Sequence, residues 1–327
     1  MGSYNVWNKW GKLKTVALGT VHPIEFFDHI KDPRIKDPLS QILEETQEDL
    51  ENYETILKQF GCKVLRCPTI HGEFKKYDRN SLNPRDSQLV IGNTLAVGHQ
   101  DNKGIIDTFR DYNSKDIKVD PMVYNILMPK GEKLGWPAPC VTLVGDRIYW
   151  DSQELTQRDA NWLRKNFPDF EYVELSIGGH NDGCFHTLKP GAILSLPDIQ
   201  NYTETFPGWD ICYLPEAKRN PQMKNTTNNK WWIPGEEKNE ELIKFVNTWL
   251  FEWVGYVAET VFDINVLVLD EHHVCVSNID NKRVNKFFKK HNIEPVHIPW
   301  RHRYFWDAGL HCITLDLERE GTKEDYF

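Results

Sequence analysis

Two hydrophobic rhythms alternate along this chain. Residues 14–19 read as a strand. Over residues 38–60, Leu39, Leu43, Leu50, Tyr53, Leu57 and Phe60 recur at alternating steps of four and three, with Thr46 filling the gap. That spacing draws one apolar stripe along a charged helix. Gly61 supplies the stop, and residues 62–66 return to a strand pattern. The same order then repeats. Residues 88–97 predict a hairpin broken at Gly92-Asn93, followed by a helix around Ile105, Ile106, Phe109 and Tyr112 and a short strand at 117–119. Residues 141–150 predict a hairpin turning at Gly145-Asp146, then a helix over 154–167 and a strand over 171–175.

A fourth unit has its hairpin at 185–196, a short helix starting near Asp198 and a strand at 209–214. A fifth runs from a hairpin at 265–277, through a helix carrying Val284, Phe287 and Phe288, to a strand at 295–298. The last strand, after Cys312, is left to pair with the first unit. The repeat is one of architecture, about 40 residues long, which points to an α/β propeller rather than a doubly wound sheet. The chain is expected to form a single domain over 1–327. Residues 215–236, rich in Lys, Asn, Pro and Thr, read as a surface loop or lid. The helix over 237–254 should lie on the body through Leu242, Phe245, Val246, Trp249 and Trp253.

Composition narrows the function. The formal charge is −9 and no basic run stands out, so nucleic acid is not an expected partner. No apolar run approaches the ~20 residues needed to cross a bilayer, and the N-terminus lacks a signal peptide's apolar stretch. The seven cysteines are odd in number and contain no Cys-x-x-Cys pair. They predict neither a disulfide framework nor a zinc ribbon, and fit a reducing, cytoplasmic setting. His272-His273 sits at a predicted hairpin turn and is not read as a metal site.

Three stretches carry candidate chemistry. In 309–317 a turn delivers Cys312 to the start of a strand. Alone, Cys312 has the ordinary reading of a buried structural thiol. Gly178-Gly179-His180-Asn181-Asp182 offers an imidazole after a tight turn, with Asp182 pointing the same way if the stretch is extended. Asn83-Pro84-Arg85-Asp86 places a carboxylate before an apolar strand; its ordinary reading is a capped turn. One thiol, one base and two carboxylates at strand mouths suit a guanidinium, whose five N–H donors match paired carboxylates. A thiolate can attack its central carbon.

At this point the chain resembles the guanidino-group-modifying enzymes, most closely the arginine:glycine and inosamine-phosphate amidinotransferases. The matching motifs are Pro84-Arg85-Asp86 with Ile91-Gly92-Asn93, the run from Pro190 to Ser195, the run from Asn265 to Glu271, and His311-Cys312 through Gly321. The resemblance implies the pentein fold, a five-bladed α/β propeller. It implies that Cys312 attacks the amidino carbon of arginine, that ornithine leaves, and that an amine acceptor takes the amidino group. His180 would be the acid and base, and Asp86 and Asp182 the guanidinium grip. No metal or organic cofactor is implied. The partners expected are small molecules, with a homodimer left open.

Three departures qualify the match. The acidic residue that the resemblance leads one to expect before the third hairpin is absent from Pro137-Ala138-Pro139-Cys140. Asp146 and Asp151 are the nearby carboxylates. Ile199 stands where a carboxylate-binding arginine is expected. The segment before Cys312 carries bulky aromatics with Arg301 and Arg303, read either as substrate-binding cations or as a solvated loop. Two rivals therefore stand beside the transferase: a hydrolase of arginine-deiminase or dihydrolase type, and a weakly active binding scaffold.

Overall fold

The structure is a computed structural model. It describes residues 2–68, 80–99, 105–124, 135–197, 201–215, 235–236, 238–251, 253–254 and 259–327. Fifteen strands form five three-stranded sheets. The first blade joins β1 (Leu13–Leu18) and β2 (Lys63–Arg66). The second holds β3 (Gln88–Ile91), β4 (Thr94–Val97) and β5 (Ile117–Val119). The third holds β6 (Val141–Val144), β7 (Arg147–Asp151) and β8 (Glu171–Leu175). The fourth holds β9 (Phe185–Lys189), β10 (Ala192–Ser195) and β11 (Asp210–Tyr213). The fifth holds β12 (Leu267–Asp270), β13 (His273–Val276) and β14 (Glu294–His297). Last comes β15 (Thr314–Arg319), which pairs antiparallel with β1 and completes the first blade, Leu18 facing Thr314.

Each blade repeats one construction. An antiparallel pair brings the chain into the central strand, and a crossover returns it to a parallel third strand. The central strands are buried almost throughout, which is why they read as apolar runs rather than as half-buried alternation. The five-unit reading and its hairpins therefore hold. Along 313–317, Ile313, Leu315 and Leu317 alternate with Thr314 and Asp316, a pattern that would ordinarily leave the second face to solvent. Ile313 through Leu317 are all buried, because Asp316 is paired rather than solvated.

Element ends moved for local reasons. The first helix spans Pro33–Gln59, beginning five residues earlier than its apolar stripe. Asp32 caps it by accepting from the Arg34 amide, and Pro33 sits where no intrahelical donor is needed. Thr46 is fully buried in the stripe because its hydroxyl accepts from the Trp306 indole at 2.8 Å. The helix Glu240–Trp249, capped by Asn239, does lie on the body, sharing a core cluster with Leu39, Leu43 and Trp253. Trp249, however, is 48% exposed, so the expected apolar face is narrower than its pattern. The start of the helix expected near Asp198 and most of the proposed 215–236 lid lie outside the described residues. No helix among the described residues is long and apolar enough to cross a membrane.

Candidate active site

The segment that leads into each blade's first strand also builds the site. A 3-10 turn at Pro84–Asp86 precedes β3, and one at Ala138–Cys140 precedes β6. A helical turn at Asn181–Cys184 precedes β9, a short helix at Glu259–Ile264 precedes β12, and the 309–312 turn precedes β15. Four of these five segments contribute to one cavity of about 330 Å³ that contains Cys312, Asp86, Asp182, His180 and Asn265, with Glu154 and Asp307 also in its wall. The structure thus brings together the thiol, the imidazole and both carboxylates named from sequence.

Asn265 fixes Cys312. Its side-chain oxygen accepts from the His311 and Cys312 amides at 3.0 and 3.1 Å, and its Nδ2 donates to Cys312 Sγ at 3.0 Å. Gly309 must be glycine for this contact, since a Cβ there would fall 2.4 Å from the Asn265 side-chain oxygen. Cys312 Sγ lies 3.6 Å from Asp182 Oδ2, which also accepts from His311 Nδ1 at 2.7 Å. Burial, then Asp182, then Asp86 push the thiol well above its ordinary range, against the pull of the Gly309 and Asn265 hydrogen bonds. Burial likewise raises Asp182, while His180, Arg85 and Lys9 draw it back. Burial beside two carboxylates thus favours the thiol over the thiolate.

His180 differs from expectation. The stretch is not extended: His180 caps the Asn181–Cys184 turn and its side chain is exposed at the cavity wall, while Asp182 is buried. Downstream of Pro137, Asp151, fully buried, accepts from the Ile177, Gly178 and Gly179 amides at 2.8, 2.9 and 3.2 Å. It orders the turn that presents His180, and Gly178 meets that turn's positive φ of 75°. Asp151→Asn should speed amide exchange at Gly178 and Gly179 by about tenfold or more, because charge-assisted bonds of about 1.5–3 kcal/mol become neutral ones. Unchanged protection by hydrogen-exchange mass spectrometry would remove Asp151 from this role.

The two arginines are corrected. Arg301 turns away to the first helix, binding Asp49 through Nε at 2.9 Å and Glu48 at 2.7 Å. Asp49 is buried and offers the stronger site. Arg303 packs over the Tyr304 ring and is not among the residues lining the cavity. Ile199 lies outside the described residues.

Sequence reasoning missed the floor of the site. Arg85 is buried and donates to the His311 and Thr314 carbonyls at 2.9 and 3.0 Å and to Asp316 at 2.8 Å. Arg319 takes the other Asp316 oxygen at 2.7 Å. Burial opposes the charge on Asp316, yet Arg319 and Arg85, with Lys9, hold it well below the usual carboxylate range. A polar residue inside an otherwise apolar strand, as Asp316 is in 313–317, was the available signal. Among the described residues no group of three or more His, Cys, Asp or Glu side chains is placed to hold a metal ion.

Five blades around a site made from their lead-in segments define the pentein fold. Comparison with known proteins gives the same class. No family model matches the chain. It is 27% identical to the mitochondrial glycine amidinotransferase of Xenopus laevis over 184 residues, 54% of this chain and 36% of that protein. It is 24% identical to the L-arginine:L-lysine amidinotransferase of Pseudomonas savastanoi pv. phaseolicola over 208 residues, 62% of this chain and 49% of the relative. The matches thus span about half or less of these curated relatives' length. In fold, it superposes on an amidinotransferase from Microseira wollei in the saxitoxin biosynthetic pathway with a TM-score of 0.69, 20% identity and 99% of both chains covered. The inosamine-phosphate amidinotransferase of Streptomyces griseus gives 0.69, 19% and 99% of both. A dimethylarginine dimethylaminohydrolase shares the fold at a TM-score of 0.57 and 12% identity, covering 93% of this chain and 99% of its own. The resemblance to the amidinotransferases is thereby shown in sequence and in fold.

Proposed function

We propose that this protein is an amidinotransferase that moves the amidino group of arginine to an amine acceptor through a covalent intermediate on Cys312. The observation that carries this reading is the thiol of Cys312 set beside Asp182 in a cavity whose wall also holds Asp86, Glu154, Asp307 and His180. Such a wall favours a cation. A guanidinium held by Asp86 and Asp182 offsets both charges that keep the thiol protonated, so donor binding itself lowers the barrier to the thiolate.

Cys312 passes its proton to His180 and attacks the amidino carbon as the thiolate. The C–N bond to the leaving amine breaks as that nitrogen gains a proton from His180, which leaves an amidino thioether and ornithine. An amine acceptor then loses a proton to His180 and attacks the same carbon, and the C–S bond breaks to restore Cys312. A second reading, hydrolysis, draws on the exposure of His180, which leaves a path for water. Intact-mass measurement after mixing with arginine and acid quenching tests both. One amidino group gained, with ornithine released, supports the covalent half-reaction. Citrulline accumulating supports hydrolysis, and neither product overturns both.

The burial of Cys312 beside Asp182 and Asp86, which favours the thiol over the thiolate, makes a further prediction. Iodoacetamide should modify Cys312 slowly near pH 7, rising about tenfold per pH unit through pH 9, since only the thiolate reacts. Fast labelling independent of pH, followed by peptide mapping, would count against a protonated resting thiol. All seven cysteines are free thiols, which suits a reducing compartment such as the cytosol.

A further inference from the structure

Lys9 has no place in the chemistry above, yet it lies beneath it. It precedes β1, is 6% exposed, and its Nζ stands 3.3 Å from His311 Nε2. His311 Nδ1 reaches Asp182 Oδ2 at 2.7 Å, and that oxygen is 3.6 Å from Cys312 Sγ. A cavity of about 10 Å³, enough for one water, adjoins Lys9, Arg85, Asp182, His186 and His311. Asp182 Oδ1 and His186 Nε2 are buried there without hydrogen-bond partners.

An ammonium group can only donate. Protonated Lys9 therefore requires His311 Nε2 to accept, which puts the ring proton on Nδ1 and aims it at Asp182. Burial, then Arg85 and Lys9, hold His311 well below its ordinary range, consistent with a neutral ring. The groups facing Lys9 are Arg85 from the lead-in to β3, Asp316 and Arg319 from β15, and Asp182, His186 and His311. With every acid and base of that set other than the histidines ionised, three cations face two carboxylates. A guanidinium entering above Asp182 adds a fourth cation to the same buried cluster.

We propose that Lys9 is a positioning residue whose proton is linked to substrate: through His311 it orients Asp182, and binding of a guanidinium at Asp182 drives the Lys9 proton off. Burial, followed by Arg85, already lowers Lys9 to about 7, so the linkage operates near neutral pH. The sign follows from like charge. Guanidinium binding lowers Lys9 further, so affinity rises as pH climbs through the Lys9 transition. Like charges coupled within one buried cluster are expected to change affinity roughly tenfold. The proposal rests on the guanidinium reading of the site.

The test uses the full chain with Cys312→Ala, which blocks chemistry and removes the thiol proton from the balance. In lysine-labelled protein, the Lys9 side-chain ¹³C resonance, assigned by its loss in Lys9→Met, should titrate near neutral pH. Saturation with guanidinium ion or arginine should move its midpoint down by about one pH unit. Calorimetry in buffers of different ionisation enthalpy should show proton release on binding at pH 7, largely abolished when Lys9→Met is added. A midpoint unmoved by either ligand, a Lys9 that titrates above pH 9, or equal proton release with Lys9→Met would overturn the proposal. The Cys312→Ala titration needs no substitution at Lys9 beyond assignment, so misfolding of Lys9→Met leaves it decisive. Wild-type protein that forms no amidino adduct but shows the shift with guanidinium ion would sink the transferase reading alone.

Discussion

Replacing Cys312 with alanine is expected to abolish the amidino adduct and to lower arginine turnover by about 10⁴-fold or more. A covalent route has no substitute for its nucleophile, and the remaining carboxylates bind but do not react. The geometry makes this more than a statement about a thiol. Asn265 spends its whole side chain on Cys312, His311 and the Asp182 carbonyl, so Cys312→Ala removes the sulfur without removing the frame. Arginine should still bind, and its dissociation constant by calorimetry should change far less than turnover. Cys212→Ala, at the buried position of β11, is the matched control and should retain activity. Turnover within tenfold of wild type after Cys312→Ala would exclude the covalent mechanism.

The largest stability effect is expected at Arg85. Arg85→Met removes the Arg85 hydrogen bonds to one Asp316 oxygen and to the Thr314 and His311 carbonyls, the last of which still accepts from Thr314, all in the buried floor. Breaking one side of a buried ion pair costs about 3–5 kcal/mol, because the remaining charge stays desolvated. Urea unfolding should show that loss as a lower midpoint, and a change under about 1 kcal/mol would refute it. The pH dependence has a definite sign. Asp316 is depressed in the folded state by Arg319 and Arg85. Its contribution is therefore fully present above its unfolded pKa of about 3.9 and is lost as the pH falls below that toward its folded value. Arg85→Met should weaken this acid-side slope.

The repeat was legible because each hairpin carries its own turn residues and each long helix its own stripe, both short-range signals. Cys312, Asp86, Asp182 and His180 were legible as residue types at strand mouths, and they share one cavity. What escaped was set by contacts distant in sequence. Arg301 resembles a substrate cation until Asp49, far back in the first helix, is seen to hold it. Nothing in the local sequence of Lys9 or Arg85 marks either as buried, yet the fold carries both inside beside a histidine more than 200 residues away. Asp151 reads as the end of a strand, and only the fold bends the glycine turn back onto it.

The pairing of β15 with β1 has a kinetic side. Four blades are contiguous in sequence and can close from local contacts, but the first joins strands roughly 300 residues apart. Such a union bears the largest loop-closure entropy in the molecule and is expected to be slow. Cys312 sits at the head of β15, so its setting among Asn265, Asp182 and His311 matures only when that last blade zips shut. A newly made chain would leave this sulfur open to a thiol reagent through most of its folding, and pulse-labelling during refolding would time the moment at which burial beside Asp182 and Asp86 slows the reaction.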